Sequence, residues 1–200
     1  MTPDWTRRQC ISRLGGVALL GALAGCPGTD GPDVDAPSPV GTPETDRTDA
    51  DRDRPETDAY ETVVDITEAG ADADGEESIV STLDDIDTSN TLVRFPPGTY
   101  FVDDTWGPGG AERLGLYGPE ATITTVEEFT GPLFSLGTDG VVADLFVGGF
   151  TFDLTPDDTG PRPINARVTD RMRVENVTVR GEMDIDQDGM RFDVVEKDGQ

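Results

Sequence analysis

Apolar residues along the chain fall into three regimes. A run of small and apolar residues over 14–24 ends at Leu23-Ala24-Gly25-Cys26. Residues 27–58 hold only two isolated valines, Val34 and Val40, in a background of Pro, Gly, Thr and Asp. From Tyr60 onward a strand-like alternation sets in. Val63, Val64 and Ile66 predict a short first strand, ended by the acidic turn Gly70-Ala71-Asp72-Ala73-Asp74-Gly75. Residues 76–87 predict a helix, because Ile79, Val80, Leu83 and Ile86 recur at i, i+1, i+4 and i+7. A second strand, Thr91-Leu92-Val93-Arg94-Phe95, runs into Pro96-Pro97-Gly98-Thr99-Tyr100-Phe101-Val102. The proline pair breaks the ladder there, and an extended segment restarts after it.

The alternation also repeats. Leu145-Phe146-Val147-Gly148-Gly149-Phe150-Thr151-Phe152 superposes on Met172-Arg173-Val174-Glu175-Asn176-Val177-Thr178-Val179 at an offset of 27. In both windows apolar residues alternate, a small or polar pair breaks the phase, and alternation resumes. One coil of a solenoid, strand then sharp turn then strand, produces that pattern. A weaker copy is Leu114-Gly115-Leu116-Tyr117-Gly118, followed by Ala121-Thr122-Ile123. About three repeats make such a stack stable. The last apolar alternation, Met190-Arg191-Phe192-Asp193-Val194, is the expected strand of a further coil. With no terminal cap after it, a truncated product is expected, or an edge covered by association.

The order Gly-Ala-x-x-Asp-Gly (Gly70 to Gly75), short helix, strand, and Phe-Pro-Pro-Gly-Thr-Tyr (Phe95 to Tyr100) resembles the opening of pectin-lyase-like right-handed parallel β-helix proteins. The resemblance implies an all-β solenoid whose helix caps the N-terminal end and whose Pro-Gly-Thr-Tyr strand begins the first coil. A generic β-sandwich with a proline-rich turn is the alternative. The family contains pectate lyases, polygalacturonases and noncatalytic relatives, and its active carboxylates or arginines lie on one exposed sheet of the central coils.

The start of the chain carries an address. Thr6-Arg7-Arg8-Gln9-Cys10-Ile11 places two arginines before an apolar run of eleven residues, too short to cross about 30 Å of hydrocarbon. It resembles a twin-arginine export signal, and Leu23-Ala24-Gly25-Cys26 is similar to a lipobox, in which Cys26 becomes the lipid-modified first residue. An ordinary cleavage site with Cys26 incidental is the alternative. The expected organisation is a signal over 1–25, an acidic disordered linker over 26–59, and a solenoid over 60–200. The expected location is the outer face of the cell membrane, lipid-anchored, or the exterior. Both cysteines, Cys10 and Cys26, fall at or before the lipobox, so no internal disulfide is expected in the mature domain.

Charge narrows the classes of partner. The chain has 200 residues, 15 basic and 41 acidic, for a net −26. Removing a leader of net +2 deepens that to −28. A nucleic-acid partner needs a basic footprint, and none is present. Anionic head groups are disfavoured too, which leaves the lipid anchor as the only membrane contact expected. Arginine outnumbers lysine 14 to one, Lys197 being the single lysine; with the acidic excess this resembles proteins of halophilic archaea. Histidine is absent, which removes Ser-His-Asp and Cys-His catalysis, His-ligated metals, and the histidine that accompanies the acidic residues of polygalacturonase-type sites.

Candidate chemistry is sparse. Asp184, Asp186 and Asp188 alternate before Gly189, as in the first half of a calcium loop. Glu196 falls one residue beyond the expected closing position, and with 28 aspartates in the chain a solvated turn competes with a Ca2+ site. Asn176-Val177-Thr178 is a glycosylation sequon, although an inward asparagine bonded to stacked backbone is the expected role of Asn176. Tyr100, Trp106 and Tyr117 are candidates for stacking on sugar rings, or for core filling. An arginine base for a calcium-dependent lyase has Arg162, Arg167, Arg171, Arg173, Arg180 and Arg191 to draw on. Asp103-Asp104 and Asp157-Asp158 are expected to be solvated loops. The leading expectation is a surface protein that binds or processes extracellular polysaccharide. The alternative is a noncatalytic scaffold or adhesion module; a transport-type binding protein is disfavoured for want of a two-lobed α/β pattern.

Overall fold

Every strand lies parallel to its neighbours, stacked on the strand one coil earlier, and the described chain is an all-β parallel β-solenoid of about five turns. The computed structural model describes residues 54–156, 160–182 and 189–195. The first turn holds β1 (Thr62–Asp65), β2 (Asp74–Ser78) and the short helix α1 (Val80–Asp84). The second holds β3 (Asn90–Arg94), β4 (Gly98–Val102) and a single bridge at Trp106. The third holds β5 (Ala111–Tyr117), β6 (Ala121–Thr125) and β7 (Pro132–Leu136). The fourth holds β8 (Val142–Gly148), β9 (Thr151–Leu154) and the first half of β10 (Arg162–Glu175). The second half of β10, then β11 (Thr178–Gly181) and β12 (Arg191–Val194), form the fifth.

Three faces result. The first is the order β1-β3-β5-β8-β10, the second β2-β4-β6-β9-β11, and the third runs through Trp106, β7, β10 and β12. Because β10 passes round a corner, with a register shift between Val168 and Arg171, it belongs to both the first and third faces.

The alternation read from the sequence decides which residues enter the core. Thr91, Leu114, Leu145 and Met172 form one inward row, and Val64, Val93, Leu116, Val147 and Val174 form a second. Tyr100, Ile123, Phe152 and Val179 form a third on the second face. Aromatic rings join these rows into a chain. Tyr100 meets Phe95 edge-on at 5.4 Å, Phe95 meets Phe150 at 5.0 Å, and Phe150 lies 6.0 Å from Phe152. Phe152 then meets Phe134 at 5.8 Å, and Phe134 meets Trp106 at the same separation. Each such pair adds about 0.5–1.5 kcal/mol beyond area burial. Outside, Thr99, Thr122, Thr151 and Thr178 stand in register, the β-branched hydroxyl type that suits a half-exposed parallel row.

The offset of 27 holds residue for residue, since Leu145 pairs with Met172 and Phe152 with Val179. The weaker copy is also a true coil: Leu114 pairs with Leu145, and Ile123 with Phe152. The 76–87 helix is a correction. Its first part is strand β2, paired with β4 through Asp74–Thr99 and Ser78–Phe101 with a bulge between them, and the helix keeps only five residues. Stacking on β4 satisfies backbone groups that a lone helical turn would leave to water, so tertiary register outweighs the local period. The apolar face survives, because Ile79 and Leu83 are fully buried in the core cluster. Asp72 accepts the N–H groups of Glu76 and Glu77 at 2.6 and 3.0 Å, which fixes the entry to β2.

Asn176 is the second correction. Its side chain is exposed, and its backbone lies in the left-handed region at φ 50°. The stacked position one coil earlier is Gly149 at φ 86°. The corner therefore requires a left-handed residue, and Asn is the side-chain-bearing residue that adopts it most readily.

Phe152 is the ring that joins the second-face rows to the third face. Phe152→Ala is expected to cost about 3–5 kcal/mol, read as a lower urea midpoint with unchanged slope. A loss below about 1 kcal/mol would mean that the ring chain does not carry the core.

Candidate functional site

The same registers that align apolar residues inside the first face align polar and aromatic residues outside it. Three outward rows follow. Asn90, Arg113, Asp144 and Arg171 form the first; Leu92, Gly115, Phe146 and Arg173 the second; Arg94, Tyr117, Gly148 and Glu175 the third. Parallel stacking places successive members of a row about 4.8 Å apart, so opposite charges in one row are forced into contact.

Asp144 sits between two arginines. Arg171 donates to both of its oxygens, Nε to Oδ1 at 3.2 Å and Nη2 to Oδ2 at 2.6 Å, and Arg113 donates from Nε to Oδ2 at 3.3 Å. Burial alone would raise the Asp144 carboxyl, but the hydrogen bonds and charges of Arg171 and Arg113 outweigh it and hold the group below the usual carboxylate range. The reciprocal effect raises Arg171 above its ordinary value. In the second row the Arg173 guanidinium stacks over Phe146, 4.6 Å from the ring centroid, and its Nε forms an ion pair with Glu175 Oε1 at 3.3 Å. Tyr117 lies beside the same ring, with centroids 6.2 Å apart.

Gly115 leaves a gap in that second row. A Cβ there would come within 2.6 Å of the Tyr60 hydroxyl, so the absence of a side chain lets the Tyr60 ring lie on the sheet. Desolvation, followed by the Asp144 charge, pushes the Tyr60 phenol up to about 12. Arg113 also donates from Nη1 to the Ala59 carbonyl. A cleft of about 180 Å³ remains between the segment before β1 and the sheet, lined by Glu56, Tyr60, Arg113, Asp144, Phe146, Arg171 and Arg173 among others.

The residues expected from sequence divide sharply. Arg171 and Arg173 line this cleft, and Tyr117 flanks it. Tyr100 and Trp106 are core residues at 0 and 1 % exposure, and the Tyr100 hydroxyl donates to the Pro96 carbonyl at 2.8 Å, so neither can stack on a sugar. Arg191 pairs with Asp193 at 3.0 Å on the third face, and Arg180 is exposed on the second. Arg167 lines a separate cleft with the 137–141 loop, and Arg162 begins β10. Asp103 accepts from the Ser78 hydroxyl and Asp104 from the Thr105 N–H at 2.7 Å. Arg7, Arg8, Cys26, Asp157, Asp158, Asp184, Asp186 and Asp188 lie outside the described residues. Among the described residues no group of three or more His, Cys, Asp or Glu side chains is placed to hold a metal, and no helix is long and apolar enough to cross a membrane.

Arg113, Asp144, Phe146 and Tyr60 carry the cleft without having been singled out in the sequence. The signal for two of them lay in the repeat. Phe146 over Arg173 is already inside the superposed window, and extending the window by one residue sets Asp144 over Arg171. Tyr60 has no such signature, because its place depends on a missing Cβ two coils away.

Compared with protein-family models, curated proteins and solved structures, the chain matches none.

The folded-state pKa of Asp144 is depressed, so its stabilising effect is present above the unfolded carboxyl range and is lost as pH falls through the lower folded value. At neutral pH Asp144→Asn is expected to be about 1–2 kcal/mol less stable, a charged hydrogen-bond value discounted for the exposure of Arg171. In urea titrations that gap should narrow as the pH drops below about 4. A gap independent of pH would mean that the arginines do not hold the charged carboxylate.

Proposed function

We propose that this is an exported, lipid-anchored cell-surface protein whose solenoid, of the pectin-lyase-like type, binds anionic extracellular polysaccharide on the outside of its first face. Three guanidiniums, those of Arg113, Arg171 and Arg173, gathered around one cleft and balanced there by Glu56, Asp144 and Glu175, support this assignment, because the chain as a whole is net −26. A patch where guanidiniums offset the carboxylates admits an anion that the remaining acidic surface repels. The half-buried Tyr117 ring offers an apolar edge beside those charges, the combination that a sugar carboxylate on a flat ring requires.

Binding without cleavage is the form favoured here. A base for lyase chemistry needs a depressed pKa, near the working pH, whereas the hydrogen bond and charge of Asp144 raise that of Arg171. Arg173 is engaged by Phe146 and Glu175. The noncatalytic surface module thus becomes the preferred version of the proposal. In a halophile's molar salt, where the Debye length falls to about 3 Å, long-range attraction is screened. Contact pairs and ring stacking would then supply the affinity.

Calorimetric titration with polygalacturonate and with a neutral glucan tests the function. The acidic polymer is expected to bind and the neutral one not, with no unsaturated product accumulating. Replacing both Arg171 and Arg173 by Ala should weaken binding about tenfold or more, since charged hydrogen bonds contribute about 1.5–3 kcal/mol each. Equal affinity for the two polymers, or an unaffected double variant, would reject the assignment.

A further inference from the structure

The outward row Leu92, Gly115, Phe146, Arg173 runs along the solenoid axis, and one of its positions is occupied from outside. The occupant is Tyr60, at the end of the strap 54–60 that precedes β1. We infer that this strap closes the cleft at its β5 end, so that the first face takes the terminus of an anionic saccharide chain and not its interior, an inference that rests on the saccharide-binding function proposed above.

The strap is fixed at several points. Its 3-10 turn is closed by the Ala59 N–H to the Glu56 carbonyl at 3.0 Å and the Tyr60 N–H to the Thr57 carbonyl at 3.1 Å. Pro55 is buried, the Ala59 carbonyl accepts from Arg113, and Glu61, which follows the strap, donates its N–H to the Asn90 carbonyl at 3.1 Å. These bonds come from β3 and β5, so the strap is tied to the sheet on the side of the earlier coils. Cleft residues Asp144, Phe146, Arg171 and Arg173 belong to β8 and β10, on the side of the later coils.

Tyr60 therefore stands where the groove would otherwise continue. A Cβ at Gly115 would meet the Tyr60 Oη at 2.6 Å, its Cζ at 2.8 Å, and Leu92 Cδ1 at 2.7 Å, so the ring and Leu92 together fill the space above the third coil. A saccharide held at Arg171 and reaching toward the earlier coils would collide with that ring. The remaining space, about 180 Å³, is below the roughly 300 Å³ at which pockets for drug-sized ligands begin. It suits one charged ring. Arg171 projects from the open side with 70 % of its side chain exposed. Nε and Nη2 are used on Asp144, so its remaining N–H donors are available to a ligand carboxylate.

Isothermal titration of the full chain with galacturonate oligomers of one to six rings reads the end-block directly. Wild type is expected to reach its full affinity by about two rings, with less than a twofold gain on further lengthening. Tyr60→Ala should open the row and give about a five- to tenfold gain between two and six rings, while Tyr60→Phe, which keeps the ring, should behave as wild type. A wild-type affinity that climbs steadily to six rings would overturn the end-block and leave the saccharide site standing. Absence of binding to any oligomer by any of the three proteins would overturn the binding function and the end-block together. Should Tyr60→Ala fail to fold, as judged by circular dichroism, the length profile of wild type alone still decides.

Discussion

Stacking in register is the constraint on which the rest of this molecule depends. Leu114, Leu145 and Met172 on the inside, and Arg113, Asp144 and Arg171 on the outside, belong to one hydrogen-bonded ladder viewed from its two sides. A slip of one residue would turn every apolar side chain of a coil outward, at several kcal/mol for the larger ones. Core packing therefore fixes the outer rows as well. The arginine–aspartate–arginine row needs no separate device to align it, because the leucines behind it already have.

That arrangement has an electrostatic consequence. Exposed ion pairs on a flexible surface contribute little, since holding two long side chains together costs entropy. Here the strands hold the backbones at a fixed spacing, Asp144 is largely enclosed, and Arg171 grips it through two nitrogens. The carboxylate thus organises guanidiniums that would otherwise sample many rotamers, which lowers the ordering cost of a bound anion. The same grip makes Arg171 a poorer base, so preorganisation for binding and activation for catalysis pull in opposite directions at this residue.

Much of the architecture was legible because a solenoid writes its period into the chain. The offset between Leu145 and Met172, the proline corner after Phe95, and the buried Ile79 and Leu83 could all be read without coordinates. The extent of α1 could not. Residues 74–78 are strand because β4 offers them partners, and that long-range fact competes with a local helical period. The inward placement expected of Asn176 failed for a related reason: the corner selects for left-handed backbone, and the side chain is left outside. Tyr100 and Trp106 were ambiguous as single aromatics and became core residues only through the ring chain linking Phe95 to Phe134. At the site, Arg171 and Arg173 were visible as members of a set of six arginines with nothing to choose among them. The choice is made by what lies one coil below, Asp144 and Phe146. Tyr60 was invisible, since its position is decided by the empty space above Gly115.

The outside of the first face, closed at one end by Tyr60, is the proposed seat of an anionic saccharide terminus. A crystal structure of the full chain with a galacturonate trisaccharide tests it most directly. A sugar carboxylate is expected within hydrogen-bond distance of Arg171 or Arg173, with one terminal ring beside Tyr60. A saccharide bound along the threonine row of the second face, or one passing over Gly115 with Tyr60 displaced, would contradict it.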